Sequence, residues 1–182
     1  EIKALEAQIN PHFLYNTLDT IKWTALIQKA NNAAEMASML SRLLHISLGS
    51  GRETTLVQEE IEHVQCYIGI QKFRFNFNFE VKYNIDEKTK RLRTPKLILQ
   101  PIVENAILHG LAEVYEGGII TINCFIVEGM LKFEIIDNGC GFDMSEADVL
   151  KVSKHKSAER FSGIGIANVD ERIKLICGQQ FG

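Results

Sequence analysis

The run Asp137-Asn-Gly-Cys-Gly-Phe142 places a carboxylate directly after an apolar stretch and follows it with two spaced glycines. Residues Met130 to Ile136 alternate and then turn wholly apolar, which is a strand pattern, so Asp137 is expected at a buried strand end. A charge there is costly without a donor, and the exocyclic amino group of a purine is a fitting one. Gly139 and Gly141 are expected to turn the backbone through positive φ and let it approach a flat ring. The same Asp-Asn-Gly run also reads as an ordinary turn.

Further on, Gly163-Ile-Gly-Ile-Ala-Asn168 opens a helical period carried by Ile166, Val169, Ile173 and Ile176. Glycines at a helix N-terminus point unpaired N–H groups and the positive end of the dipole at an anion. The run lacks the third glycine of a dinucleotide fingerprint and the Gly-Lys-Ser/Thr of a Walker loop. Upstream, Leu97 to His109 reads as a helix with Thr94 as cap and Pro95 as first residue. Leu97, Ile98, Pro101, Ile102 and Asn105 fall on one stripe, with His109 one turn beyond. An uncharged amide at Asn105 suits Mg²⁺, leaving the other coordination positions to phosphates and waters. A hydrogen-bonded core asparagine is the plain alternative, and Glu104 is either a second polar group or solvated.

In that order, the Asn105 helix, the Asp137 corner and the Gly163-x-Gly165 run resemble the Bergerat ATP-binding fold, which serves several reactions. The N-terminal run Gln8-Ile-Asn-Pro-His-Phe-Leu-Tyr-Asn16 resembles the phosphoacceptor box of LytS/YesM-type sensor histidine kinases. The likeness covers nearly the whole chain, through Leu99-Gln-Pro-Ile-Val-Glu-Asn-Ala-Ile-Leu-His-Gly110 and Gly163-Ile-Gly-Ile-Ala-Asn-Val-Asp-Glu-Arg172. It implies that His12 takes the γ-phosphate of ATP and passes it to an aspartate of a response regulator. It further implies that Asn105, His109, Asp137, Gly139, Gly141, Gly163, Gly165 and Asn168 surround the nucleotide, with Asn105 on Mg²⁺. The working form it implies is a homodimer, the cytoplasmic part of a membrane-tethered protein whose transmembrane and sensing regions precede this chain. Phe13, as in the LytS/YesM subfamily, stands where many histidine kinases carry an acidic residue, which leaves the base unassigned. Two departures stand out: Leu108 takes a place where relatives often carry a lysine, and the chain stops at Gly182 before the closing strands that the family's ATP domain normally has. Leu108 and the early stop keep open a noncatalytic, ATP-binding regulatory dimer.

The chemistry at His12 suits that role. Pro11 lacks a backbone donor and starts or kinks a helix. Ile2, Leu5, Ile9, Phe13, Leu18 and Ile21 approximate an apolar seam, with His12 beside it. A neutral imidazole nitrogen is nucleophilic near neutral pH, and its phosphoramidate is labile enough to donate onward. Asn16, one turn on, is placed to orient a phosphoryl group or a water. His45 and His63 fall on amphipathic helices and read as structural. Cys66, Cys124, Cys140 and Cys177 form neither a CxxC nor a zinc spacing and suit reduced thiols. No Gly-x-Ser-x-Gly nucleophile elbow occurs.

The chain is 46% hydrophobic with a formal charge of −3, enough for a sizeable core in one or two domains. Mild acidity argues against a nucleic-acid binder, and no long apolar span or signal segment is visible. Glu1 begins inside a helical pattern, as expected of a piece of a longer protein. Helices over 1–30 and 32–48, joined near Asn31-Asn32, read as an antiparallel hairpin that pairs with a second copy as a four-helix bundle. Thr55-x-x-Gln58 reads as a capping box for a connecting helix with Ile61, Val64 and Ile68 on one face. Phe77, Phe79, Val81, Tyr83 and Ile85 alternate as a strand, and Ile119–Val127 with Met130–Ile136 read as a hairpin around Glu128-Gly129. Asp143 to Ser162, bearing Lys151, Lys154, His155, Lys156 and Arg160, is a candidate ATP lid or a solvated charged loop. The expected fold class is α+β, with a helical-hairpin dimerisation and phosphoacceptor region plus connecting helix over 1–76. A Bergerat-type α/β sandwich with a mixed sheet is expected over 77–182.

Overall fold

The computed structural model describes residues 11–48, 52–75, 79–111, 114, 116–141 and 161–182. The chain divides into two compact units, Glu1–Arg52 with Glu62–Asn76, and Glu53–Ile61 with Phe77–Gly182.

In the first unit, α1 (Pro11–Ile27) opens on Pro11, where a missing N–H is of no consequence. The chain reverses at Gln28–Ala30. Lys29 sits at φ 58, its N–H donates to the Leu26 carbonyl at 3.0 Å, and the Ala30 N–H donates to the Ala25 carbonyl at 2.8 Å. This is a Schellman closure with lysine in the left-handed position usually given to glycine. Asn31-Asn32, placed at the joint by the sequence pattern, instead opens α2 (Asn31–Leu48). The expected first helix over 1–30 therefore ends at Ile27, and its first ten residues lie outside those described.

Small residues Ala25, Ala34 and Ala37, with Ile46, are buried along this antiparallel pair. The Tyr15 hydroxyl donates to the Leu44 carbonyl at 3.4 Å, and its ring lies 5.3 Å from that of His45. The later part of α3 (Val57–Phe75) belongs to this unit. There Arg42 holds Glu62 through two N–H···O contacts of 2.5 and 2.6 Å, and Ser47 Oγ lies 2.8 Å from Nε2 of buried His63. Ile61, Val64 and Ile68 are all buried, as their spacing predicts. Phe13, Trp23 and Ile27 on α1 stay largely exposed.

The second unit begins with β1 (Thr54–Leu56), paired antiparallel with β3 (Arg93–Pro95). Thr55 is thus a strand residue, and the cap of α3 comes from Glu59, not Gln58. The Glu59 carboxylate accepts the Leu56 N–H at 3.1 Å and the Thr55 hydroxyl. Thr94 and Pro95 are likewise strand residues, not the start of the next helix; proline disfavours the α conformation in the residue before it. Helix α4 (Leu99–Asn105) begins four residues later than the sequence pattern suggests. Leu97, at φ 59, turns the chain between strand and helix.

Three further strands form a mixed sheet in the order β2-β4-β5: β2 (Phe79–Ile85), β4 (Gly118–Val127) and β5 (Met130–Asp137). The β2–β4 pair is parallel, its crossover containing α4, and β4–β5 is an antiparallel hairpin. Gly118, Ile120, Ile122 and Cys124 alternate inward along β4. Helix α5 (Phe161–Cys177) follows, with Val169 buried. Among the described residues the architecture is α+β, with five helices and this mixed sheet.

The hairpin turn has φ 51 at Glu128 and 79 at Gly129, the double left-handed signature of a type I′ turn. Glutamate is strained there, and asparagine tolerates the position better. Glu128→Asn is expected to stabilise the second unit by roughly 0.5–1 kcal/mol, read as a higher urea midpoint with an unchanged slope. An unmoved midpoint would show that the turn carries no such strain.

Candidate functional site

At the end of β5, Asp137 Oδ1 accepts the Gly139 N–H at 3.0 Å, a local side-chain turn. Asn138 then ties the corner to the start of β4. Its Oδ1 accepts the Ile119 N–H at 2.7 Å, its Nδ2 donates to the Gly117 carbonyl at 3.0 Å, and its own N–H donates to the Ile119 carbonyl at 3.2 Å. Next, the Cys140 N–H donates to the Gly110 carbonyl at 3.0 Å, and Cys140 Sγ lies 3.5 Å from the His109 carbonyl.

The two glycines of this corner serve different ends. Only Gly141 has the expected positive φ, at 71. Gly139 is required by crowding, since a Cβ there would lie 1.9 Å from the Gly110 carbonyl oxygen. A Cβ on Gly110 would in turn lie 2.7 Å from Asp137 Oδ1. Two backbone segments cross here with no side chain between them, and a carboxylate stands beside the crossing.

Gly110 reaches that crossing through a change of helical pitch. After Asn105 the chain continues as a π-helical turn, Ala106–Gly110, closed by the Leu111 N–H on the Ala106 carbonyl at 2.9 Å. His109 therefore does not sit one α-turn beyond Asn105, as the period implies. Single π-turns inside helices recur at functional sites. Leu108 and His109 are exposed, and Asn105 is half-buried. Gly163 and Gly165 lie inside α5, as its third and fifth residues, and not ahead of it. Gly163 is among the first four residues, whose N–H groups have no intrahelical acceptor. Gly165 lies against α4, since a Cβ on it would be 3.7 Å from Asn105 Nδ2 and from Pro101 Cβ. Asn168 is exposed on the following turn.

The second unit thus brings together Asn105 with Gly165, and Asp137 and Gly139 with Gly110 and the His109 backbone. The lid expected over Asp143–Ser162 lies outside the described residues apart from Phe161 and Ser162, which open α5. Gly110 escapes a reading based on residue chemistry, although it closes the motif that contains Asn105. Among the described residues no cluster of three or more His, Cys, Asp or Glu could hold a metal. A cation at the Asn105 amide would take most of its ligands from phosphate and water, as Mg²⁺ does readily. The residues present fit that ion in this sense.

In the first unit, His12 is exposed near the start of α1, and Asn16 Nδ2 lies 3.2 Å from its Nδ1 across one helical turn. An amide can present either its nitrogen or its oxygen to that atom. With the oxygen presented, Nδ1 keeps its proton and the lone pair sits on Nε2.

A family model described as histidine kinase matches residues 1–79. Over its whole length the chain is 37% identical to the Sensor histidine kinase YesM of Bacillus subtilis and 34% identical to the Sensor histidine kinase BtsS of Escherichia coli. It is also 32% identical to the Sensor protein LytS of Bacillus cereus, over 99% of the chain. The chain is thus similar to sensor histidine kinases along its whole length. It spans about 30% of the length of each of these curated relatives. No helix among the described residues is long and apolar enough to cross a membrane. All four cysteines are free thiols.

The different demands on the two corner glycines are open to measurement. Gly139→Ala is expected to destabilise the second unit by about 1–3 kcal/mol through overpacking. Gly141→Ala, where a Cβ would meet nothing within 4 Å, should cost only about 1 kcal/mol for its left-handed backbone. Denaturant unfolding of the two variants reads the difference, and equal losses would contradict the crossing geometry.

Proposed function

We propose that this chain is the phosphoacceptor and ATP-binding part of a two-component sensor histidine kinase. Residues 1–76 act as the dimerisation and phosphoacceptor domain and 77–182 as a Bergerat-type ATP-binding domain. The observation that carries the reading is the His12–Asn16 pair, an exposed imidazole contacted at Nδ1 by an amide one turn away. Likeness along the whole chain to proteins named sensor histidine kinases supports it.

In this reading the Asp137 carboxylate receives the amino group of adenine, and the Gly110–Gly139 crossing provides a floor without side chains. Asn105 holds Mg²⁺, which when bound neutralises phosphate charge. Gly163 and Gly165 line the phosphate side, with His109 and Asn168 at its margins. His12 Nε2 attacks the γ-phosphorus in line, the N–P bond forming as the bond to the ADP oxygen breaks. The Nδ1 proton, held by the Asn16 amide oxygen, is then released to solvent, which is compatible with Phe13 standing where other kinases carry an acid. The protein's contribution is mainly positioning. The phosphoryl group next passes to an aspartate of a response regulator. Exposed Phe13, Ile21, Trp23, Leu26 and Ile27 on α1, with Met36 and Leu40 on α2, suit burial against a second copy as a four-helix bundle. The parent protein is membrane-tethered, with this part on the cytoplasmic side. A noncatalytic, ATP-binding regulatory dimer is the second reading, favoured by the exposed apolar Leu108 in place of a phosphate-reaching lysine.

Incubation with γ-labelled ATP and Mg²⁺ is expected to give acid-labile, base-stable label, lost in His12→Gln while nucleotide binding persists. Asp137→Asn should weaken ATP binding about tenfold or more, since a hydrogen bond to a charged group is worth roughly 1.5–3 kcal/mol. Saturable binding without label would favour the regulatory dimer, and absence of binding would overturn both readings.

A further inference from the structure

The segment Lys96–Leu99, between β3 and α4, is gripped from both polar sides of its backbone. Glu60, wholly buried on the first turn of α3, accepts the Ile98 and Leu99 N–H groups on Oε1 at 2.7 and 2.9 Å, and the Leu97 N–H on Oε2 at 3.0 Å. From the other side Arg172 of α5 donates from Nη1 to the Lys96 carbonyl at 2.7 Å. Between these contacts Leu97 is held at φ 59, a conformation costing a non-glycine residue roughly 1–2 kcal/mol. Such strain persists only where the surroundings over-determine it. Burial pushes the Glu60 carboxyl above its usual range, while the three N–H groups and the Arg172 charge pull it back.

Arg172 lies two helical turns beyond Gly165 and so on the same face of α5. That face touches the Lys96 carbonyl before the start of α4 and the Pro101–Asn105 stretch beside Gly165. The Gly165 contact has no side chain of its own to hold it. The Arg172–Lys96 hydrogen bond adds a directional tie to the packing between the two helices.

We propose that Glu60 and Arg172 are positioning residues for the phosphate side of the nucleotide site, clamping the Lys96–Leu99 backbone so that Asn105 on α4 stays in register with Gly163 and Gly165 on α5. The inference rests on the nucleotide reading above. The Asp137–Gly139 corner meets Gly110 only at the far end of the α4–π segment from the clamp, and Asn138 ties it independently to β4. Loss of the clamp thus falls on phosphate recognition and spares recognition of the base.

The test compares Mg-ADP with adenosine, each titrated into the full chain by calorimetry or by NMR shifts. Arg172→Ala, a change at an exposed side chain, is expected to weaken Mg-ADP about tenfold while adenosine affinity stays within about twofold. Arg172→Lys should restore most of the loss, because an ammonium can still donate to the Lys96 carbonyl. Glu60→Gln should give the same pattern where it folds, since it keeps one acceptor oxygen and its NH₂ group cannot accept the N–H held by the other. Unchanged affinity for both ligands in Arg172→Ala, or equal losses for both, overturns the clamp. Failure of the unsubstituted chain to bind either ligand overturns the nucleotide reading, and the clamp's role with it.

Discussion

The second unit is organised around a carboxylate that caps a helix other than its own. Where β3 gives way to α4, three successive N–H groups turn inward, and the residue at the cap position, Ile98, has no oxygen to offer them. Left unsatisfied, each buried donor would cost about 1–3 kcal/mol. Glu60 meets all three from the first turn of α3, two of them on a single oxygen. Its own burial is tolerable only because those donors are there, so the carboxylate and the helix start each require the other. The position of α4, and with it Asn105, follows from that mutual need.

A second constraint acts by absence. Gly110 and Gly139 come so close that any side chain on either would strike the carbonyl or the carboxylate opposite. The π-helical turn matters for the same reason, because one added residue per turn changes where Gly110 presents its carbonyl. Asn138 then uses both ends of its amide to seal the corner onto β4. Backbone and short polar groups make this geometry.

Features set by neighbours in sequence were legible before any coordinates. Glu128-Gly129 between two alternating runs is a local hairpin signal, and the pairing of Val127 with Met130 follows from it. Ile61, Val64 and Ile68 share a face through helical spacing, and the same spacing brings Asn16 to His12. What could not be read was decided at long range. Thr94-Pro95 and Thr55 carry sound helix-start signals, yet the pairing of Thr54–Leu56 with Arg93–Pro95 takes both into strands. Glu59 and Glu60 look like a pair of first-turn acids. Only the fold reveals that one caps its own helix and the other caps α4. Lys29 closes the first helix in a conformation that points to glycine or asparagine, so no turn residue marks the place.

This contrast explains why the two halves of the proposed chemistry differ in how they are written. The His12–Asn16 pair needs one helical turn and an exposed face, so a contiguous run of residues specifies it. The corner and the Asn105–Gly165 contact need four segments far apart in sequence, held by a buried carboxylate, a guanidinium and two missing side chains. Substitution near His12 therefore acts through the side chain removed. Substitution in the second unit acts through the backbone path, and residues such as Glu60 and Arg172 that would never touch a nucleotide can govern those that would.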